Sequence, residues 1–168
     1  QSNRYDLTKK NILSAESKLN GDSGYFIIHK NKVEPLVFKK AKINKLLKAK
    51  EKDNYIFIEQ NFTNSPSIIL KSYLSPQIKT VVKTNSQQQH FHWGFSEMIH
   101  YTNSNRIPLN GALFYPANYD SSLRYPMIVY IYSKSSGEIH NYINPTLHNV
   151  AGYNVTTLTA NGYFVLFA

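Results

Sequence analysis

The chain has 168 residues, no cysteine, seven glycines and seven prolines, and 42% of its residues are hydrophobic. That apolar fraction is too high for a disordered tail, and no glycine period or long apolar run points to collagen or a membrane span. The lack of cysteine excludes a disulfide scaffold, a zinc ribbon and a thiol nucleophile. Gln1-Ser2-Asn3-Arg4 carries no apolar signal-peptide core, so the expectation is that any export signal has been removed.

The formal net charge is +9, and it is unevenly distributed. Residues 1–92 hold sixteen Lys and Arg against seven Asp and Glu, whereas residues 93–168 hold three of each. Much of the excess runs from Lys39-Lys40-Ala41-Lys42 to Lys52. A basic patch can serve nucleic acid or an anionic membrane. Here no Arg cluster, glycine-rich RNA signature or zinc spacing accompanies the lysines, so a solvated lysine-rich face is the better reading and no nucleic-acid partner is expected.

In chain order, Gly24–His29 reads as a strand, Lys30-Asn31-Lys32 as a turn, and Val33–Phe38 as the returning hairpin strand. Ile43, Leu46 and Leu47 fall at i, i+3 and i+4, which predicts one or two helical turns. Asn54–Glu59 is a strand, Asn61–Pro66 a turn-rich stretch, and Ser67–Tyr73 and Thr80–Thr84 two further strands. Short strands between polar turns fit a sheet module such as a propeller blade, although no clean internal repeat accompanies them.

The texture changes after Gln87-Gln88-Gln89. Glu97–Asn103 and Leu109–Tyr115 are strand candidates, and Ala117–Ser122 is a turn. Met127–Tyr132 is an almost unbroken apolar run, as expected for a strand covered on both faces. Asn154–Ala160 predicts a helix ended by Asn161-Gly162, and Tyr163–Ala168 a second buried-type strand. Strand, helix, glycine and buried strand together indicate an α/β layer.

Four blocks in order, Trp93 with Glu97, Leu109–Pro116, Tyr125–Tyr132 and Asn161–Leu166, resemble the start of the catalytic domain of the prolyl oligopeptidase / dipeptidyl peptidase IV family. The resemblance is specific over residues 53–168 and vague before them. It implies the last strands of a β-propeller over residues 1–92, followed by the first strands of an α/β-hydrolase domain over residues 93–168, both incomplete. It also implies a peptide substrate, no cofactor, and a periplasmic or secreted bacterial setting. One departure is Ser133-Lys134-Ser135-Ser136-Gly137, where many members place small residues such as Gly-Gly after the tyrosine.

By the resemblance, Tyr132 matches the tyrosine whose phenol donates to the oxyanion of the tetrahedral intermediate. A neutral donor at the end of a rigid strand suits that task. The family's Ser, Asp and His are not in this chain: the nearest match to a nucleophile elbow, Gly94-Phe95-Ser96-Glu97-Met98, lacks the closing glycine and precedes the first hydrolase strand. Ser96 is therefore read as a linker or strand-edge serine.

His90-Phe91-His92 would put two imidazoles on one strand face, but no cysteine or nearby carboxylate completes a metal site, and none is expected. Glu138, His140 and His148 lie in the loop that the family places at the active-site mouth, where they either line a cleft or are plain surface polarity. Asn61-Phe62-Thr63 and Asn154-Val155-Thr156 match the glycosylation sequon, a pattern common by chance. Three functions remain in play: part of a serine peptidase inactive by itself, dipeptidyl or prolyl-specific; a β-rich interaction module; and, least favoured, a basic nucleic-acid-binding domain. The partners expected are the remainder of a parent chain or a second copy of this one.

Overall fold

The computed structural model describes residues 6, 8–131, 134–146 and 154–168. Within these residues the architecture is mostly β, in three sheets, with one short α-helix. The first sheet is the antiparallel set β1 (Asn11–Glu16), β2 (Ser23–His29) and β3 (Lys32–Lys39). Lys30 and Asn31 both take positive φ, 47° and 65°, as the two-residue turn between twisted hairpin strands requires. The second sheet is a four-stranded antiparallel meander, β4 (Lys42–Lys48), β5 (Asn54–Asn61), β6 (Asn64–Ser72) and β7 (Ile78–Lys83).

A 3-10 helix, Ser86–His90, leads to the third sheet. Its strands are β8 (Ser96–Thr102), β9 (Pro108–Phe114), β10 (Met127–Tyr130) and β11 (Phe164–Phe167), in the order β10-β11-β9-β8. The pair β10–β11 is parallel, and the connection between them carries a second 3-10 helix, Ser136–His140, and α1 (Val155–Ala160). A parallel pair needs such a crossover, since a tight turn can only reverse the chain.

The C-terminal signal of α1 acts as the sequence predicts, and Asn154, expected as the first helical residue, instead caps the helix. The Asn154 side chain accepts from the Thr157 N–H, capping the first turn. At the other end Gly162, at φ +83°, lets its own N–H reach Thr159 O while the Tyr163 N–H reaches Leu158 O. That pair of bonds is a Schellman ending, which favours glycine at the left-handed position.

Side chains of the third sheet divide cleanly by face. Ala112, Phe114, Val165 and Phe167 are buried against Phe62, Ile139 and Val155, with Met98 and Tyr130 packed beside them. Phe62 comes from the β5–β6 turn, so the second sheet supplies a ring to the core of the third. On the opposite face Phe164 packs against Tyr115, Tyr119 and Tyr125, whereas Met127 and Val129 of β10 are each 49% exposed. The coverage of β10 on both faces expected from its sequence is therefore not met, because among the described residues α1 and Ser136–His140 lie toward the core side alone.

Three further expectations need correcting. Residues 43–47 are not helical but belong to β4, whose register shifts between Asn44 and Leu47 around Lys45 at φ +52°. That bulge resets the alternation, so Ile43 and Leu46 both reach the core while Leu47 stays exposed. The turn expected over Asn61–Pro66 is shorter, because β6 already begins at Asn64. His90 ends a 3-10 helix and His92 follows it in irregular chain, so the two imidazoles do not share a strand face.

Candidate functional site

In sheets with parallel strands, ligands bind in the crevice outside the carboxyl ends of those strands. Here β10 ends at Tyr130 and β11 at Phe167, with the Ala168 N–H donating to Tyr130 O at 3.1 Å to hold the two ends together. Beyond them opens a cleft of about 860 Å³. Ile131 and Ala168 form its floor, and Lys134, Ser136 and Gly137 border it after β10. The β8–β9 hairpin contributes Tyr101, Pro108, Leu109 and Asn110. The facing wall comes from the first sheet, as Glu16 at the end of β1 and Ser17, Lys18 and Gly21 of the β1–β2 turn.

Several contacts fix these walls. Asn110 accepts at Oδ1 from the His100 ring at 2.7 Å, if that nitrogen carries the proton, and donates from Nδ2 to Lys18 O at 2.9 Å. The Ser96 hydroxyl donates to Ile139 O at 2.9 Å, so Ser96 is a strand-edge residue tied to the loop after β10. Gly94 passes so close to the Tyr115 carbonyl that a side chain there has no room. Gly21, at φ +73°, lies against Ile139 and His140; a β-carbon built on it would come within 2.5 Å of Ile139 Cγ2.

His140 is 2% exposed, and its Nε2 lies 3.3 Å from Asp22 Oδ1. Burial pushes its pKa below the usual imidazole value, against the upward pull of the Asp22 hydrogen bond. Sequence reasoning left His140 as either cleft lining or plain surface polarity; the structure instead buries it behind one wall. Glu138 is exposed. Tyr132, Ser133 and His148 lie outside the described residues. Among the described residues, no group of three or more metal-binding side chains comes together.

The cleft residues that sequence reasoning missed are Glu16, Lys18 and Lys134. They place one carboxylate and two ammonium groups around a floor that also carries apolar surface from Ile131, Met98 and Leu109. No local pattern marks them, since they converge from two distant segments, the end of β1 with its turn and the stretch after β10. On the β9 end of the sheet, Tyr115 donates from its hydroxyl to Glu97 Oε2 at 2.8 Å, and its pKa is pushed up to about 12 by that bond.

No protein-family model matches the sequence, nor does any curated protein. Solved structures do match. The unliganded isopeptidase AtxE2 superposes with a TM-score of 0.70 at 12% identity over 94% of this chain. Dipeptidyl peptidase 4 of Porphyromonas gingivalis gives 0.67 at 15% identity over 99%, and the acylaminoacyl peptidase of Pyrococcus horikoshii gives 0.62 at 14% over 86%. The chain shares their fold. It spans 23%, 25% and 21% of their respective lengths, so the likeness is to one segment of each. A second structure of AtxE2 has Astexin3-dC4 bound.

Proposed function

We propose that the chain is the junction of a serine peptidase of the prolyl oligopeptidase / dipeptidyl peptidase IV family, with the end of a propeller in residues 1–92 and the opening of an α/β-hydrolase domain in residues 93–168. The observation that carries this reading is the parallel pair β10–β11, whose carboxyl ends open on a cleft walled by the first sheet. The four-stranded meander β4–β7 supports a propeller blade, and the crossover with α1 supports an α/β layer. The shared fold with three peptidases over at least 86% of the chain points the same way.

In this reading the substrate is a peptide lying in the cleft, dipeptidyl or prolyl specificity being alternatives within the family. The nucleophile, its histidine and its aspartate come from elsewhere in a longer parent protein. Tyr132, directly after Ile131 of the cleft floor, donates its phenol to the oxyanion. This chain binds and orients and does not turn over peptides. A periplasmic or secreted bacterial setting accompanies the reading.

A serine-directed phosphonate separates the possibilities. The complete protein is expected to label at a serine outside residues 1–168, with this chain alone remaining unlabelled. Labelling of Ser96 or any other serine in the isolated chain refutes the proposal, as does a complete reading frame without a Gly-x-Ser-x-Gly elbow.

A further inference from the structure

The two walls of the cleft come from sequence segments far apart, and one buried contact joins them. Asp22 sits in the β1–β2 turn and His140 ends the 3-10 helix after β10, 118 positions away, with Oδ1 and Nε2 at 3.3 Å. Around this contact the surfaces are fitted. Gly21 has no side chain where Ile139 approaches, and Gly137 lies next to the Glu16 carboxylate. Lys42 donates to Asn141 Oδ1 at 2.6 Å, a second tie from the propeller-side sheets to the residue after His140. Ile139 in turn belongs to the core of the third sheet. A 3-10 helix this short has little stability by itself, so its placement depends on these contacts.

We propose that His140 is a positioning residue that, through Asp22, latches the β1–β2 turn and the segment after β10 into one unit, so that loosening one wall of the cleft loosens the other. The inference rests on the cleft geometry and stands whether or not the peptidase reading holds. The charged groups facing the ring are Asp22 from the β1–β2 turn and Lys40 from the β3–β4 turn, with the Asn20 backbone as a further hydrogen-bonding group. Glu138, on the ring's own helix, is the nearest other carboxylate in sequence. A neutral imidazole offers one N–H donor and an imidazolium two. With Asp22 Oδ1 3.3 Å from Nε2, a protonated ring faces the carboxylate as an ion pair and a neutral one only as a hydrogen bond, so the grip of the latch follows its protonation.

Hydrogen exchange read by mass spectrometry tests the coupling. In Asp22→Ala, peptides covering 17–22 and 134–141 are expected to exchange faster by a common factor of about tenfold, the loss of one hydrogen bond to a charged group. Peptides of β6 remain unchanged, and Asp22→Asn, which keeps an acceptor, restores most of the protection. Faster exchange in one wall alone, in neither, or equally in β6 overturns the proposal. If Asp22→Ala does not fold, the titration of the His140 ring by NMR decides in the unmodified chain. Exchange of both walls, corrected for intrinsic rates, should then change with the midpoint of that ring; a different midpoint, or none, overturns the latch.

Discussion

Phe62, at the tip of the β5–β6 hairpin, meets Phe114 of β9 edge to face, with ring centroids 4.9 Å apart and planes at 63°. Both rings are 1% exposed. The backbone of the same hairpin is held from the other side, where Trp93 Nε1 donates to Phe62 O at 2.8 Å. Trp93 itself stacks on Tyr142, with centroids 5.4 Å apart. One residue of the second sheet thus fills a hole in the third, and the connector between them closes over it.

Phe62→Ala is expected to destabilise the chain by about 3–5 kcal/mol, the cost of an unfilled aromatic site in a packed core. The third sheet should lose protection most, because the cavity lies under Ala112 and Phe114. Urea unfolding followed by tryptophan fluorescence reads this directly, since Trp93 borders the site. A loss below about 1 kcal/mol would mean that the hairpin tip merely touches the sheet.

Tyr115 supplies a prediction in pH. Its phenol donates to Glu97, and the fold raises its pKa from 10.0 to about 12. The folded state therefore holds this proton more tightly than the unfolded state. The stability that results is fully present below pH 10 and is lost as the pH rises toward 12. Absorbance titration at alkaline pH should show a late-ionising tyrosine that disappears in Tyr115→Phe. In Glu97→Gln its midpoint should fall back toward that of an ordinary phenol. An unchanged late step in Tyr115→Phe would assign it to another tyrosine.

What was legible in the sequence follows the range of the interaction concerned. The C-terminal end of α1 was readable because a cap is local: Gly162 acts on its own turn. The strands β2, β3, β5 and β6 were readable from runs of apolar and β-branched residues. β4 was misread because a bulge at Lys45 imitates helical spacing, and β1 went unnoticed because its apolar residues Ile12, Leu13 and Ala15 do not alternate and it pairs along one edge only. The cleft was not legible at all beyond the end of β10. Its walls, and the Asp22–His140 contact behind them, exist only once distant segments are folded together.

On the proposed peptidase reading, Tyr132→Phe made in the complete protein is expected to lower kcat by roughly a hundredfold with little change in KM. An oxyanion donor acts on the transition state far more than on bound substrate. The substitution removes one hydroxyl and keeps the ring, so a packing role would survive it. Steady-state kinetics on a peptide substrate distinguish the two: an unaffected kcat makes Tyr132 a packing residue, and a raised KM alone makes it a binding one.

The uncovered face of β10 in the third sheet bears on how the chain behaves in solution. β10 is one of the sheet's two edge strands, and Met127-Ile128-Val129-Tyr130 carries no charge to discourage pairing with another chain, whereas β8 at the other edge carries Glu97. Met127, Val129 and Ile131 expose 49%, 49% and 80% of their surface on neighbouring positions, where an α/β layer would be covered. An edge of the second sheet, β7, is better protected, since it carries Lys79 and Lys83 and a register shift interrupts its pairing with β6. Association is therefore expected through β10 and not through β7. Sedimentation of the chain at low micromolar concentration should show species larger than a monomer, and Val129→Lys should shift them toward monomer. A lysine introduced at Val81 of β7 should have no such effect. A sharp monomer that melts cooperatively and binds no hydrophobic dye would show that the uncovered face of β10 is tolerated in water.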